Sequence, residues 1–253
     1  MVRSRNILTA TAVAIALGAG AGRGASAPSA PIAVAAPAAP PVPAPPTAKL
    51  AWVGRVLAPV TARAAPKRSA RARMVVQPIA PFAQGATTLL ITRTLVRDDV
   101  RWVEVLLPIR PNGSRGWIPA DVLALSTTPV RISIDISERR LTLFRAGRRV
   151  MTTSIAVGAP ATPTPTGPSF AIAERISTNQ PGAFLGPVVM PLTGFSEKLN
   201  EFAGGNGRVA LHGTSQPELI GSAVSHGCMR MRNADILRVA RAARPGTPVS
   251  IHA

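Results

Sequence analysis

Residues 208–233 read RVALHGTSQPELIGSAVSHGCMRMRN. This stretch holds the only cysteine of the chain, Cys228, and two of its three histidines, His212 and His226. The thiolate is the reactive form of cysteine, and an ordinary thiol with a pKa of about 8.5 is mostly protonated at neutral pH. Useful nucleophilicity therefore needs a base, a helix N-terminus or fixed dipoles nearby. The stretch offers such groups. Val209–Leu211 reads as an apolar strand, and His212 stands at its end, where its ring would project. Gly213 permits an unusual backbone path, and the 12 residues 213–224 lead back to Ser225. Gly227 permits a tight turn beside Cys228, and the amides of Gly227 and Cys228 can bind a developing oxyanion. Two other readings of these residues stay open. One is a buried structural cysteine. The other is a metal site of His212, His226 and Cys228, which lacks a fourth ligand and close ligand spacing. The third histidine, His252, reads as surface.

On the C-terminal side, Asn233–Arg244 predicts a helix. Asn233 is placed to cap it, Asp235 suits its first turn, and Ile236, Val239 and Ala240 form its apolar face. Pro245-Gly246 stops it, and Thr247–His252 reads as a closing strand. On the N-terminal side, Val130–Ile136, Arg140–Arg145 and Val150–Val157 alternate apolar and polar residues, which predicts a β-meander. The Pro-rich run 158–167 is a loop, and Phe170–Ile176 a further strand.

Taken together, these features resemble the L,D-transpeptidases with the YkuD-like catalytic fold. The resemblance rests on H-G-T at His212, the twelve-residue spacing, and S-H-G-C-M-R-M-x-N-x-D ending at Asp235. It also rests on the V-G…T-P-x-G pattern (Val157, Gly158, Thr164, Pro165, Gly167) and on G-F-S-E-x-L-N-E-F at 194–202. It covers residues 129–252 and implies a mainly β catalytic domain with one or two helices. It implies Cys228 as nucleophile and His212 as general base, with the Gly213 carbonyl holding the imidazole tautomer. Gly227, with His226, would complete the oxyanion site. Arg230, Ser225 and Thr214 would bind substrate, Arg230 meeting a carboxylate or serving a structural ion pair. No metal or cofactor is implied. The expected reaction is peptidoglycan cross-linking. The Cys228 thiolate would attack the third-residue carbonyl of a tetrapeptide stem and release D-Ala. The acyl group would then pass to the side-chain amine of another stem's diamino acid. β-Lactams of the carbapenem type are expected covalent inhibitors. The alternatives are an L,D-carboxypeptidase or another Cys/His wall-peptide hydrolase, and a non-catalytic wall-binding protein. An NlpC/P60-type endopeptidase places its Cys before its His, the reverse of the order here.

Residues 49–127 read as short strands, among them Leu89–Arg93, Val100–Leu106 and 116–119, with a turn at Pro111-Asn112-Gly113. Trp102 and Val105, followed by Gly116-Trp117-Ile118, resemble the strand motifs of bacterial SH3-like domains, which implies a small β-barrel preceding the catalytic domain 128–253. Arg63, Arg68, Arg71 and Arg73 are expected in a loop.

The N-terminus reads as an address. Arg3 and Arg5, the apolar run 7–21 and Ala25-Ser26-Ala27 follow the order of a secretory signal over 1–27. If uncleaved, it would tether the chain to a membrane. Residues 28–48 carry eight prolines among Ala and Val, a linker that tends to polyproline II and reaches about 60 Å. The expected location is secreted, in the cell wall or periplasm.

Composition narrows the rest. One cysteine excludes an intramolecular disulfide, a multi-cysteine zinc site and a Cys-ligated iron–sulfur cluster. The formal charge is +18, with 26 arginines against three lysines. Aromatic residues are sparse and no base-binding motif is present, so the charge reads as an arginine-rich background with affinity for an anionic surface and not as a nucleic-acid site; the resemblance implies that this surface is anionic wall polymer.

Overall fold

The computed structural model describes residues 42–201 and 205–253. Residues 1–27, read above as a signal, and residues 28–41 of the expected linker lie outside the described residues. Residues 41–253 form one compact unit. It is mainly β, with one α-helix among the described residues.

The N-terminal part builds seven strands: β1 (Ala51–Val56), β2 (Val60–Arg63), β3 (Ala72–Val76), β4 (Thr88–Arg97), β5 (Val100–Leu106), β6 (Arg115–Pro119) and β7 (Leu123–Thr128). They form one sheet in the order β3-β2-β6-β5-β4-β1-β7. Its core gathers Val56, Ile91, Val103, Val105, Leu107 and Ile118, all under 3% exposed. Trp102 and Val105 lie on β5, and Gly116, Trp117 and Ile118 lie on the adjacent antiparallel β6, with Val105 opposite Gly116. Arg68 and Arg71 fall in the connection between strands as expected, but Arg63 ends β2 and Arg73 lies within β3. Those two belong to a hairpin pairing Arg63 with Ala72, so the predicted loop is shorter than the arginine spacing suggests.

The remaining strands are β8 (Val130–Asp135), β9 (Arg140–Arg145), β10 (Arg148–Ser154), β11 (Val157–Gly158), β12 (Gly167–Ala171), β13 (Ile176–Ser177), β14 (Val188–Phe195), β15 (Arg208–His212), β16 (Ala223–Ser225), β17 (Met229–Arg230) and β18 (Pro248–His252). A five-stranded sheet runs β10-β9-β8-β18-β12, and a four-stranded sheet runs β13-β14-β15-β17. The alternation read in β8 is the pleat. Val130, Ile132 and Ile134 are buried, while Arg131, Ser133 and Asp135 are partly exposed on the other face. Truncating a side chain as enclosed as Ile134 to Ala would cost about 2–5 kcal/mol.

Helix α1 (Asn233–Ala242) presses Ile236, Val239 and Ala240 into the core beside β14 and β15. Asn233 does not cap it. Arg232 occupies the N-cap without a side-chain bond, and Asn233 is the first helical residue. The Asn233 amide group is used elsewhere: Oδ1 accepts from the Thr214 amide at 2.9 Å, and Nδ2 donates to the Pro181 carbonyl at 2.9 Å. The side chain therefore ties the segment after His212 to the start of the helix. Asp235 sits in the first turn as expected and accepts from Thr153 Oγ1 at 2.7 Å.

The predicted strand Phe170–Ile176 is two short ones. β12 ends at Ala171, and β13 begins at Ile176. The residue between that matters most is Glu174, a carboxylate only 3% exposed.

Candidate active site

Strand β15 is the spine of the site. It pairs antiparallel with β14, placing Val189 opposite His212, and parallel with β17, placing His212 beside Arg230. Cys228 immediately precedes β17. His212, Ser225, His226, Cys228 and Arg230 thereby line one cleft of about 280 Å³. His252 lies elsewhere, at the end of β18, with Nε2 at 2.7 Å from Ser133 Oγ.

His212 is 2% exposed, and its Nδ1 lies 2.6 Å from the Gly213 carbonyl oxygen. A carbonyl can only accept, so Nδ1 carries the proton and Nε2 is left as the ring's acceptor. Burial pushes the His212 pKa down to about 4, opposed by the bond to Gly213 and assisted by the positive charge of Arg230. The ring is therefore a neutral imidazole at neutral pH. Gly213 must be glycine because of close approach. A Cβ there would lie 2.9 Å from Pro187 Cδ and 3.1 Å from Gly186 Cα.

Cys228 is half-buried. Burial raises its pKa, while the Ala210 backbone and the charge of Arg230 favour the thiolate. Burial thus favours the neutral form of both groups, and the resting pair is thiol and imidazole. The thiol therefore depends on a base to be activated, the role expected of His212.

The turn into Cys228 is held from inside. Gly227 has φ +110°, a conformation that other residues rarely adopt. Ser225 Oγ accepts from the Gly227 amide at 3.1 Å and donates to the Cys228 carbonyl at 2.5 Å. The Gly227 amide, expected in an oxyanion site, is therefore committed to Ser225. Of the two amides beside the thiol, the one not bound to Ser225 is that of Cys228, and His226 lines the same cleft. Ser225 is 1% exposed, with its hydroxyl engaged on both sides. The Pro-rich loop clamps the same turn. The Ala159 amide and Thr162 Oγ1 both donate to the Ser225 carbonyl, and Thr164 Oγ1 accepts from the Gly158 amide.

Thr214 is 3% exposed and does not line the cleft. Its amide is held by Asn233 and its Oγ1 accepts from the Gln216 amide, so its atoms support the turn after His212. Arg230 is 6% exposed, with Nη1 at 3.5 Å from Gln216 Oε1 and the guanidinium 4.6 Å from the Phe184 ring centroid. Its Nε has no hydrogen-bond partner among the described residues. Among the described residues no carboxylate pairs with it, so the structural ion pair held open for Arg230 is not formed. Among the described residues no group of three or more His, Cys, Asp or Glu is arranged to hold a metal ion.

Four residues of this region carried no local signal in the sequence: Phe82, Glu174, Phe184 and Arg208. Phe82, Phe184 and Arg208 line the same cleft, and the Phe184 ring stands 6.3 Å from that of His212.

Residues 129–251 match the family model for the YkuD L,D-transpeptidase catalytic domain. Two curated proteins, each named "Putative L,D-transpeptidase YkuD", are similar to this chain. The one from Bacillus licheniformis is 38% identical over 125 residues, covering 49% of this chain and 67% of that protein. The one from Bacillus subtilis strain 168 is 34% identical over 126 residues, covering 50% and 68%. The chain belongs to the YkuD-type L,D-transpeptidase catalytic-domain family, and it is an enzyme of that kind. Among solved structures, an L,D-transpeptidase from Mycobacterium tuberculosis matches 66% of this chain and 90% of its own at 15% identity and a TM-score of 0.44. L,D-transpeptidase 3 from the same organism, solved with a faropenem-derived adduct, matches 66% and 91% at 13% identity and a TM-score of 0.42. A mutant Enterococcus faecium L,D-transpeptidase is matched over 49% of this chain, about half of that chain's own length (49%), at 20% identity and a TM-score of 0.37.

Proposed function

We propose that the protein cross-links peptidoglycan stems through an acyl-enzyme on Cys228, outside the cytoplasm. The observation that carries this is the Nδ1–H bond of His212 to Gly213, which reserves Nε2 as a proton acceptor in the cleft that holds the chain's single thiol.

The cycle follows from that polarity. As Cys228 Sγ attacks the third-residue carbonyl of a tetrapeptide stem, its proton passes to His212 Nε2. A neutral imidazole is poised to accept it, because burial keeps the ring unprotonated. The Cys228 amide stabilises the developing oxyanion. Collapse breaks the bond to the terminal D-Ala, whose amine leaves with the proton from Nε2, and a thioester remains. The side-chain amine of a second stem then attacks the thioester and gives a proton to Nε2. Collapse expels the sulfur, which takes that proton back as the new amide forms. Arg230, with no carboxylate partner among the described residues, meets a stem carboxylate.

The charge of +18 fits an anionic wall substrate. Arg55, Arg145, Arg175, Arg241 and Arg244 line a groove of about 740 Å³ that offers such a polymer a basic track. The order of residues 1–27 supports export, and the N-terminal sheet is read as SH3-like on Trp102, Val105 and Gly116–Ile118. Carbapenem-type β-lactams would acylate the same sulfur.

Intact-protein mass after incubation with a tetrapeptide stem tests the reading. The wild-type chain gains the mass of the tetrapeptide stem less that of the released D-Ala, and Cys228→Ala gains nothing. An adduct that survives in Cys228→Ala, or a wild-type chain that never acquires one, refutes it.

A further inference from the structure

The segment between β3 and β4 belongs to the N-terminal sheet, yet it reaches the cleft. Phe82, in that segment, is 56% exposed and lines the cleft that contains Cys228. Its backbone is not loose. The amides of Phe82 and Ala83 both donate to Glu174 Oε2, at 2.9 and 2.8 Å. Glu174 Oε1 takes Arg208 Nη1 at 3.2 Å. This carboxylate is 3% exposed, so its charge is compensated by these three donors rather than by water. Arg208 opens β15, the strand that ends in His212, and its guanidinium lies 5.8 Å from the Phe82 ring centroid. One buried carboxylate thus fixes the Phe82 backbone to the strand that carries His212.

A second fastening lies in the β5–β6 turn. Asn112 bonds both the amide and the carbonyl of Phe195, at 2.8 and 2.9 Å. Arg110 donates to the carbonyls of Ser196 and Leu199, at 2.6 and 2.9 Å, and both of those residues line the cleft.

We propose that Phe82 is a substrate-contacting wall of the Cys228 cleft, supplied by the N-terminal sheet, and that Glu174 is the positioning residue that holds it. The proposal rests on the transpeptidase reading above and adds to it the surface that receives the stem. Two exposed rings share the cleft, Phe82 with Arg208 behind it and Phe184 with Arg230 behind it. The two rings suit a peptide of small apolar side chains and carboxylates: the rings take the methyl groups, and Arg230, whose charge no carboxylate among the described residues neutralises as Glu174 does that of Arg208, attracts an acid.

The test compares two reactions of the same sulfur in the full chain. One is acylation by the tetrapeptide stem, read by intact mass. The other is alkylation by iodoacetamide, which is too small to need the wall. Phe82→Ala lowers peptide kcat/KM about tenfold, equivalent to about 1.4 kcal/mol, through a raised KM. It leaves iodoacetamide alkylation within about twofold, and Phe82→Leu recovers most of the loss. Glu174→Gln lowers peptide acylation as well. Because both residues act through one ring, the double variant loses little beyond the more impaired single variant. Wild-type kinetics in Phe82→Ala, or an equal fall in both reactions, overturns the wall while leaving the transpeptidase reading intact. Fully additive losses in the double variant overturn the role of Glu174. A wild-type chain that forms no adduct overturns the transpeptidase reading and the wall with it.

Discussion

Replacing His212 with Gln should flatten the acid side of the protein's stability curve. The imidazole has a pKa of about 4 in the fold, because burial disfavours its charged form, against 6.5 when free. Between those values the unfolded chain binds a proton that the native state refuses, so stability falls as pH falls. The contribution is fully present above pH 6.5 and lost as pH drops toward 4. The full difference is about 3 kcal/mol from the 2.5-unit gap. At pH 4.5 about 2.5 kcal/mol of it is already gone. That is a large share of a typical 5–15 kcal/mol. With a urea slope of about 2.5 kcal/mol/M for a chain this size, the unfolding midpoint drops about 1 M between pH 7.5 and 4.5 from this group alone. The assay is urea unfolding of wild type and His212→Gln at both pH values. Carboxylates protonate in both proteins and cancel in the comparison. The wild type should lose about 1 M more than the variant. Equal losses would mean that the native ring titrates like a solvated histidine, and the neutral-base reading would fall.

Two further outcomes follow from the same cleft. Because burial raises the Cys228 pKa, its alkylation by iodoacetamide should keep accelerating as pH rises through 9, whereas a plateau near neutrality would reveal a preformed thiolate. Gly213→Ala should lower the thermal midpoint by roughly 4–8 °C, the effect of about 2 kcal/mol of overpacking against Pro187 and Gly186, and scanning calorimetry reads it directly; an unchanged midpoint would show that the turn can open.

Much of the catalytic half was legible because its signals are local. The β8 and β9 alternation needs only a count of every second residue, and His212, Gly213, Gly227 and Cys228 fall within 17 positions. β14 has no clean alternating pattern, because Pro191 and Gly194, residues unfavourable within a strand, interrupt it. The fold accommodates them with a register shift between Pro191 and Phe195. Asn233 looked like a cap since it starts an apolar helix, but its partners are Thr214 and Pro181, 19 and 52 residues away in the chain. The wall was illegible for the same reason. Glu174 meets Phe82 across 92 residues, and Asn112 meets Phe195 across 83. Nothing in the local pattern distinguishes a glutamate that will be 3% exposed from one that will face water.

The Asn112 and Glu174 fastenings also bear on how such a chain can change over time. Turns between strands are where proteins ordinarily absorb insertions and deletions. Here the β5–β6 turn and the segment before β4 are both gripped by the catalytic half. Adding a residue at either place would pull on β15 or on the end of β14 and so disturb a cleft far away in sequence. The two halves must therefore vary in length together. Exchanging the N-terminal sheet for a foreign one would supply a neighbour but lose the grip, unless both turns were carried across with it.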